Sequence, residues 1–191
     1  MAASEDTCPH PEIPERLHTN GRLAVDQIEK TDRLFFWHPA LPEGEAYVSA
    51  IPGHKRFANQ SCNSDELNPD GDPSDVLYNV RDGGGKMSGM QIACIPVEEL
   101  CNVSSPHPTL VRRDIKTGKP LSPVQKEQIH FVPKHTPTLC MYPHCEIISH
   151  RDGMETKDIA KGSRSDVKLQ FAKIAERYRL EMAKYSTAKT S

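Results

Sequence analysis

Apolar residues in this chain come in short runs: Leu23-Ala24-Val25, Leu34-Phe35-Phe36-Trp37, Tyr47-Val48-Ser49-Ala50-Ile51, Met90-Gln91-Ile92-Ala93-Cys94-Ile95 and Ile129-His130-Phe131-Val132. Runs this short, rich in aromatic and β-branched residues, predict strands. Turn residues punctuate them. Pro39 and Pro42-Glu43-Gly44 mark a loop, Pro52-Gly53 closes the third run, and Lys116-Thr117-Gly118-Lys119 reads as a turn. Val76-Leu77-Tyr78 is a further short strand candidate inside the polar stretch 63–89. The last segment has a different period. Val167, Phe171, Ile174, Tyr178, Met182 and Tyr185 recur every three or four residues and predict one stripe of a helix over 165–186. Ser165 is its expected N-cap, and Asp166 suits the positive end of the helix dipole. That stripe either packs on its own domain or docks on a partner. The expected fold is mainly β, closed by a C-terminal α-helix, with an irregular α+β arrangement as the alternative.

Composition narrows this picture. The 191 residues suit one domain, or one domain plus an extension. Apolar residues are 36% of the chain, below the roughly 45–50% of an average globular protein, and 16 residues are proline. A modest core with many loops follows. Residues 1–18 are rich in proline and mixed charge without periodicity, which predicts disorder, so the expected domain spans 19–150. Lys and Arg number 24 against 26 Asp and Glu, net −2, so no basic field points to nucleic acid. No apolar run approaches the roughly 18 residues of a membrane span, and the N-terminus lacks a basic and then apolar leader pattern. A nuclear or cytoplasmic setting is expected. There the six cysteines read as core residues or metal ligands before they read as disulfides.

Candidate chemistry lies at two places. Cys140, His144 and Cys145, near His135 and His150, offer two thiolates and an imidazole to a tetrahedral zinc ion; buried cysteines and surface histidines are the other reading. Asp65 to Asp75 is rich in carboxylates but lacks the spacing of a calcium loop and reads as solvated. Gly83-Gly84-Gly85-Lys86 reads as a flexible turn, and Phe35-Phe36-Trp37 as core.

The second place is Arg56-Phe57-Ala58-Asn59-Gln60-Ser61-Cys62-Asn63-Ser64, which follows Tyr47–Gly53. It resembles the Arg-Phe-Ile/Ala-Asn-His-Ser-Cys-x-Pro-Asn signature of the SET-domain protein methyltransferases. Gln60 stands in place of the family's His, and Ser64-Asp65 in place of its Pro-Asn. Gly21–Asp32 resembles the family's opening strands, and Val111–Leu121 its late Arg-Asp-Ile-x-x-Gly segment. The resemblance implies a SET-like β-fold with a knot-like crossing, in which 56–62 thread beneath a loop near 114–122. It implies an S-adenosylmethionine-dependent protein-lysine methyltransferase, or an inactive descendant, with a protein substrate or partner. Arg56, Phe57, Asn59 and Gln60 would be the cofactor contacts. An Asn amide can accept from the cofactor's ammonium and donate to its carboxylate. Leu139–Cys145 resembles the second half of the family's zinc-binding tail, with Thr138 where its first Cys would stand. The family's channel tyrosine is missing after Leu121, where Ser122-Pro123 follow, so no catalytic residue is assigned. The alternative function is a non-catalytic, zinc-stabilised interaction protein that docks a partner through its C-terminal helix.

Overall fold

Along β1 (Arg33–Pro39), Leu34, Phe36 and His38 alternate with Arg33, Phe35 and Trp37, and this alternation sets the two faces of the sheet. The computed structural model describes residues 7–40, 60–68, 70–106, 116–117, 128–151, 154–156 and 161–179. After β1 come β2 (Gln60–Ser64), β3 (Met90–Pro96), helix α1 (Val97–Asn102), β4 (Ser104–Pro106), β5 (Gln128–His135), β6 (His144–Arg151), β7 (Met154–Thr156) and helix α2 (Lys161–Arg177). Every pairing among the described residues is antiparallel. The strand order is β3-β1-β2-β6-β5-β4, with β7 hydrogen-bonded to β6. The fold is mainly β with a C-terminal helix.

The topology requires the sheet to curl. β3 and β4 lie at opposite ends of the strand order. Six strands laid flat would separate them by about 24 Å, at about 4.8 Å per neighbour. Only Val97–Val103 joins them, and the six residues of α1 rise about 9 Å. The sheet therefore wraps around α1 and α2. Its inner face presents Leu34, Phe36, Cys62, Ala93, Ile95, Ile129, Phe131, Cys145 and Ile147. Val97 and Leu100 of α1, with Val167, Phe171, Ala172, Ile174 and Ala175 of α2, fill the concavity. Phe131 meets Phe171 edge to face, ring centroids 5.4 Å apart. Gln170 Nε2 donates to Ser104 O at 3.0 Å, and Arg177 pairs with Glu99 at 2.8 Å, so α2 also touches β4 and α1.

Asp32 ties this assembly at one corner. Its Oδ1 accepts from the backbone N–H groups of Arg33 (2.6 Å), Asp65 (3.1 Å) and Glu66 (3.0 Å), and its Oδ2 accepts from the Ser64 hydroxyl. Its carbonyl accepts from Val97 N at 2.9 Å. One residue at 2% exposure thus joins the start of β1 and the end of β2 through its side chain, and the entry to α1 through its carbonyl.

Several local expectations are corrected. The stripe at 167, 171 and 174 holds, but α2 begins at Lys161, so Ser165 is inside the helix rather than its cap. Met182 and Tyr185 lie outside the described residues. Val167, Phe171 and Ile174 of this stripe are buried in the chain's own core, whereas Tyr178 is half-exposed. Leu23-Ala24-Val25 is not a strand, and Leu23 is 84% exposed. Pro73–Leu77 is a 3₁₀ helix rather than the start of a strand. Asp72 accepts from Ser74 N in a capping box with Asp75, and Pro73 fixes the first turn. The run Tyr47–Ile51 lies outside the described residues. No helix among the described residues is long and apolar enough to cross a membrane.

The N-terminal segment packs on the domain through Cys8, Ile13 and Leu17, where composition points to disorder. Ile13 and Leu17 are fully buried with Cys140 and Met141, and Glu15–Leu17 form a 3₁₀ turn. Proline here stiffens a strap that lies along the domain. Cys8 and Cys140 are joined by a disulfide across a sequence separation of 132, a pairing that spacing could not select. Arg16 donates to both carboxylate oxygens of buried Asp75 at 2.8 and 2.7 Å, and Asn68 Nδ2 joins them at 2.8 Å. The 65–75 loop is therefore anchored by Asp75 and is not wholly solvated.

His135 locks the far end of the strap. Its Nδ1 accepts from Val25 N–H at 2.7 Å, and its Nε2–H donates to Tyr142 O at 2.5 Å. That pattern needs a neutral ring. Burial lowers the His135 pKa below 6.5, and the bond to Tyr142 opposes the shift. A folded-state pKa below the unfolded value means stability present in full above about pH 6.5 and lost as pH falls toward the depressed value. Urea titrations from pH 7 to 5 should show this loss, with a slope of at most about 1.4 kcal/mol per pH unit from one such group. His38, also shifted down by burial, adds in the same window, so His135→Gln should flatten the profile only in part. An unchanged slope in that variant would remove the assignment.

Candidate functional site

The outer face of the sheet carries a concavity that combines aromatic, amide, imidazole and guanidinium groups. In the register, Phe35 pairs with Asn63, and Asn63 with His144. Directly opposite residues share a face, so Asn63 and His144 stand beside the Phe35 row, and Trp37 follows two residues along β1. Phe35 is buried beneath Val76 and Leu77, whereas Trp37 remains 40% exposed. These three strands form the floor of a notch of about 190 Å³. Its walls are Val76, Tyr78, Asn79, Val80, Arg81, Met87 and Met141.

The wall over 76–87 is a tight loop held by backbone bonds. Asn79 N donates to Gly85 O at 3.0 Å, Met87 N to Leu77 O at 2.9 Å, and Tyr78 bridges to Lys86. Gly84 has φ +83°, and a Cβ there would lie 2.5 Å from His10 Cβ, so the strap and this loop can meet only through glycine. Lys86 Nζ reaches Ser74 Oγ at 2.5 Å and lies 4.9 Å from the Tyr78 ring centroid. Burial, with the nearby Asp75 charge, raises the Tyr78 phenol above its ordinary pKa, so it stays protonated in the physiological range.

The floor groups are fixed as well. Asn63 is buried, and its Nδ2 approaches the Met141 sulfur at 3.3 Å. His144 Nδ1 lies 2.7 Å from Thr136 O and 3.1 Å from its hydroxyl, which sets the plane of the ring. The result is a small, preformed notch with an indole on one side and polar groups at its base. A wider cleft of about 830 Å³ lies near Thr7, Thr19, Gly21 and Thr138. No described titratable side chain lines it, and Thr19 Oγ1 donates to Thr138 O.

The residues singled out for zinc do not converge. Cys140 is bonded to Cys8 and is not a thiolate. His144 and Cys145 are consecutive in β6, so they point to opposite faces. Cys145 sits fully buried opposite Cys62 on the inner face, its thiol donating to Pro143 O and pushed up to about 12 by burial. No group of three described His, Cys, Asp or Glu residues could hold a metal ion. The three residues do not fit a tetrahedral zinc centre.

Of the predicted cofactor contacts, Arg56, Phe57 and Asn59 lie outside the described residues. Gln60 opens β2, opposite Ile147. The segments around Asp114 and Leu121, which would complete the crossing, also lie outside the described residues. Trp37, Asn63, Tyr78, Arg81 and Met141 were not singled out by the sequence as a site. The available hint was the strand alternation, which turns Trp37 away from Phe36. Comparison with protein-family models, with curated proteins and with solved structures returned no match.

Proposed function

We propose that this chain is a non-catalytic interaction domain that grips a partner polypeptide by one aromatic side chain seated in the Trp37 notch. The observation that carries the reading is that Trp37, Asn63 and His144, on three adjacent strands, line one notch walled by Tyr78 and Met141. At about 190 Å³ the notch is smaller than the roughly 300–1,000 Å³ of sites that enclose drug-sized ligands. It suits a single ring. An incoming ring packs against the Trp37 indole edge to face or offset, with about 0.5–1.5 kcal/mol beyond area burial. Thioether contacts from Met87 and Met141 add to it. Asn63 and Arg81 supply polar direction for the flanking backbone.

A second reading keeps the SET-like origin: an S-adenosylmethionine-dependent protein-lysine methyltransferase or its inactive descendant, in a nuclear or cytoplasmic setting. What supports it is that the Arg56–Ser64 resemblance runs directly into β2, a central strand whose Cys62 is fully buried in the core. A cofactor cradle on that segment would be held rigidly from one end. When bound, S-adenosylmethionine supplies an electrophilic methyl group. Asn59 would engage its amino-acid end.

One titration series separates the readings. The chain has a single tryptophan, so its fluorescence reports the notch directly. N-acetyl-phenylalanine amide should give a saturable change in the millimolar range, and N-acetyl-lysine amide none. Equal or unsaturable responses would remove the binding reading. Calorimetry with S-adenosylhomocysteine on the same protein should give heat that Asn59→Ala weakens under the second reading; absence of heat would remove that one.

A further inference from the structure

The strap and the notch share a wall. Cys8, Cys140, Ile13 and Leu17 pack in one cluster with Met141, Tyr78 and Val80, and the last three also line the notch. Beyond the disulfide, the strap is held by Thr19 N to Leu139 O at 3.1 Å, by Tyr142 N to Leu17 O at 2.6 Å and by the Arg16–Asp75 pair. His10, two residues beyond Cys8, bonds to Val80 O at 3.1 Å.

We propose that the Cys8–Cys140 disulfide is a redox latch on the notch, opened by a dithiol reductant and closed by oxidation. The proposal rests on the binding reading given above. The two sulfurs differ in access: Cys8 is partly exposed, whereas Cys140 is buried. A reductant thiolate therefore attacks Cys8 Sγ, the Cys8–Cys140 bond breaks, and Cys140 leaves as a thiolate that takes up a proton. The second thiol of the reductant then displaces Cys8 as a thiol. The reductant is oxidised to its own disulfide, and two electrons and two protons pass to the protein. Cys62, Cys94 and Cys145 are buried and so do not exchange into the disulfide, and Cys101 is the half-exposed free thiol whose variant serves as the control. Once cut, the start of the strap is held only by non-covalent contacts. The ordering of Val80, Tyr78 and Met141 weakens with it, and the notch binds less well. In a compartment that keeps thiols reduced the latch stands open, and in an oxidising one it stands closed.

The full chain is purified without reductant and compared before and after dithiothreitol. Alkylation with mass analysis should find the Cys8–Cys140 cross-link before treatment and two additional modified cysteines after it. Native-state hydrogen exchange at residues 10–22 should accelerate at least tenfold on reduction. The apparent affinity for N-acetyl-phenylalanine amide, read by Trp37 fluorescence, should fall at least threefold. Cys140→Ser should reproduce the reduced state without reductant, and Cys101→Ser should remain latched. Absence of the cross-link, or unchanged exchange on reduction, overturns the latch. Accelerated exchange with undiminished affinity overturns its coupling to the notch. Accelerated exchange with no probe binding in either state upholds the opening step and removes the binding reading instead.

Discussion

Asp32→Ala should lower the unfolding free energy by about 3 kcal/mol, read as a shift of the urea midpoint at constant slope. The carboxylate accepts three backbone N–H groups and the Ser64 hydroxyl at one corner of the sheet. Alanine leaves all four donors without that acceptor, and water reaches only the outer ones. An orphaned buried donor costs about 1–3 kcal/mol, and the partial exposure of Asp65 and Glu66 keeps the sum near the stated value. Asp32→Asn keeps an oxygen for the three N–H groups and should cost about 1 kcal/mol. The charge itself is a burden here. Burial raises the Asp32 pKa despite these hydrogen bonds, with the Glu66 charge adding to the shift. The folded state thus holds this proton more tightly than the unfolded chain does. The group's contribution is largest below pH 3.8 and is lost as pH rises through the raised folded value. Asn removes that slope. Equal losses for Ala and Asn would show that charge, not acceptance, is what the corner needs.

Phe131→Ala should cost about 3–5 kcal/mol, a large share of the roughly 5–15 kcal/mol that stabilises a domain. Phe131 is fully buried on the inner face and meets Phe171 of α2 at 5.4 Å. Removing the ring leaves a void between β5 and α2 that the hydrogen-bonded sheet cannot collapse to fill. Phe171→Ala should cost less than that, because the helix can shift toward the sheet. The double variant should lose less than the sum, by about 0.5–1.5 kcal/mol of edge-to-face coupling. Leu169→Ala, on a residue 43% exposed on the same helix, should stay within about 0.5 kcal/mol. A Phe131 loss as small as the Leu169 loss would mean that the curled sheet does not close on α2.

How far the chain could be read depended on whether local chemistry matched local structure. β1 and β3 were legible because each centres on a short apolar run, Leu34–Phe36 and Ile92–Ile95, that is buried on both faces of the sheet. The α2 stripe was legible because burial enforces its period. β2 was not, because Gln60-Ser61-Cys62-Asn63-Ser64 carries almost no apolar signal; neighbours on both sides make it a strand. β6 was hidden by its composition. His144-Cys145-Glu146-Ile147-Ile148-Ser149 suggests ligands, yet Cys145, Ile147 and Ser149 alternate inward as a strand requires. The disulfide and the notch were illegible for one physical reason. Each joins residues brought together only by pairings far apart in sequence, and nothing local to Trp37 or Cys8 announces its partner. Asp72-Pro73-Ser74-Asp75 did carry a capping pattern, and it marks the 3₁₀ helix that walls the notch.

The strand order also sets a schedule for assembly. Cys62 and Cys145 face each other across the middle of the sheet although they are 83 residues apart. A nascent chain emerging from the ribosome can pair β1 with β2 and β3, but that half leaves one flank of β2 bare until β6 is made. Closing so long a loop is entropically costly, and such distant pairings fold slowly. Synthesis must therefore pass Ile147 before the central pair can form in full, which leaves the first half dependent on whatever shields a bare strand edge in the meantime.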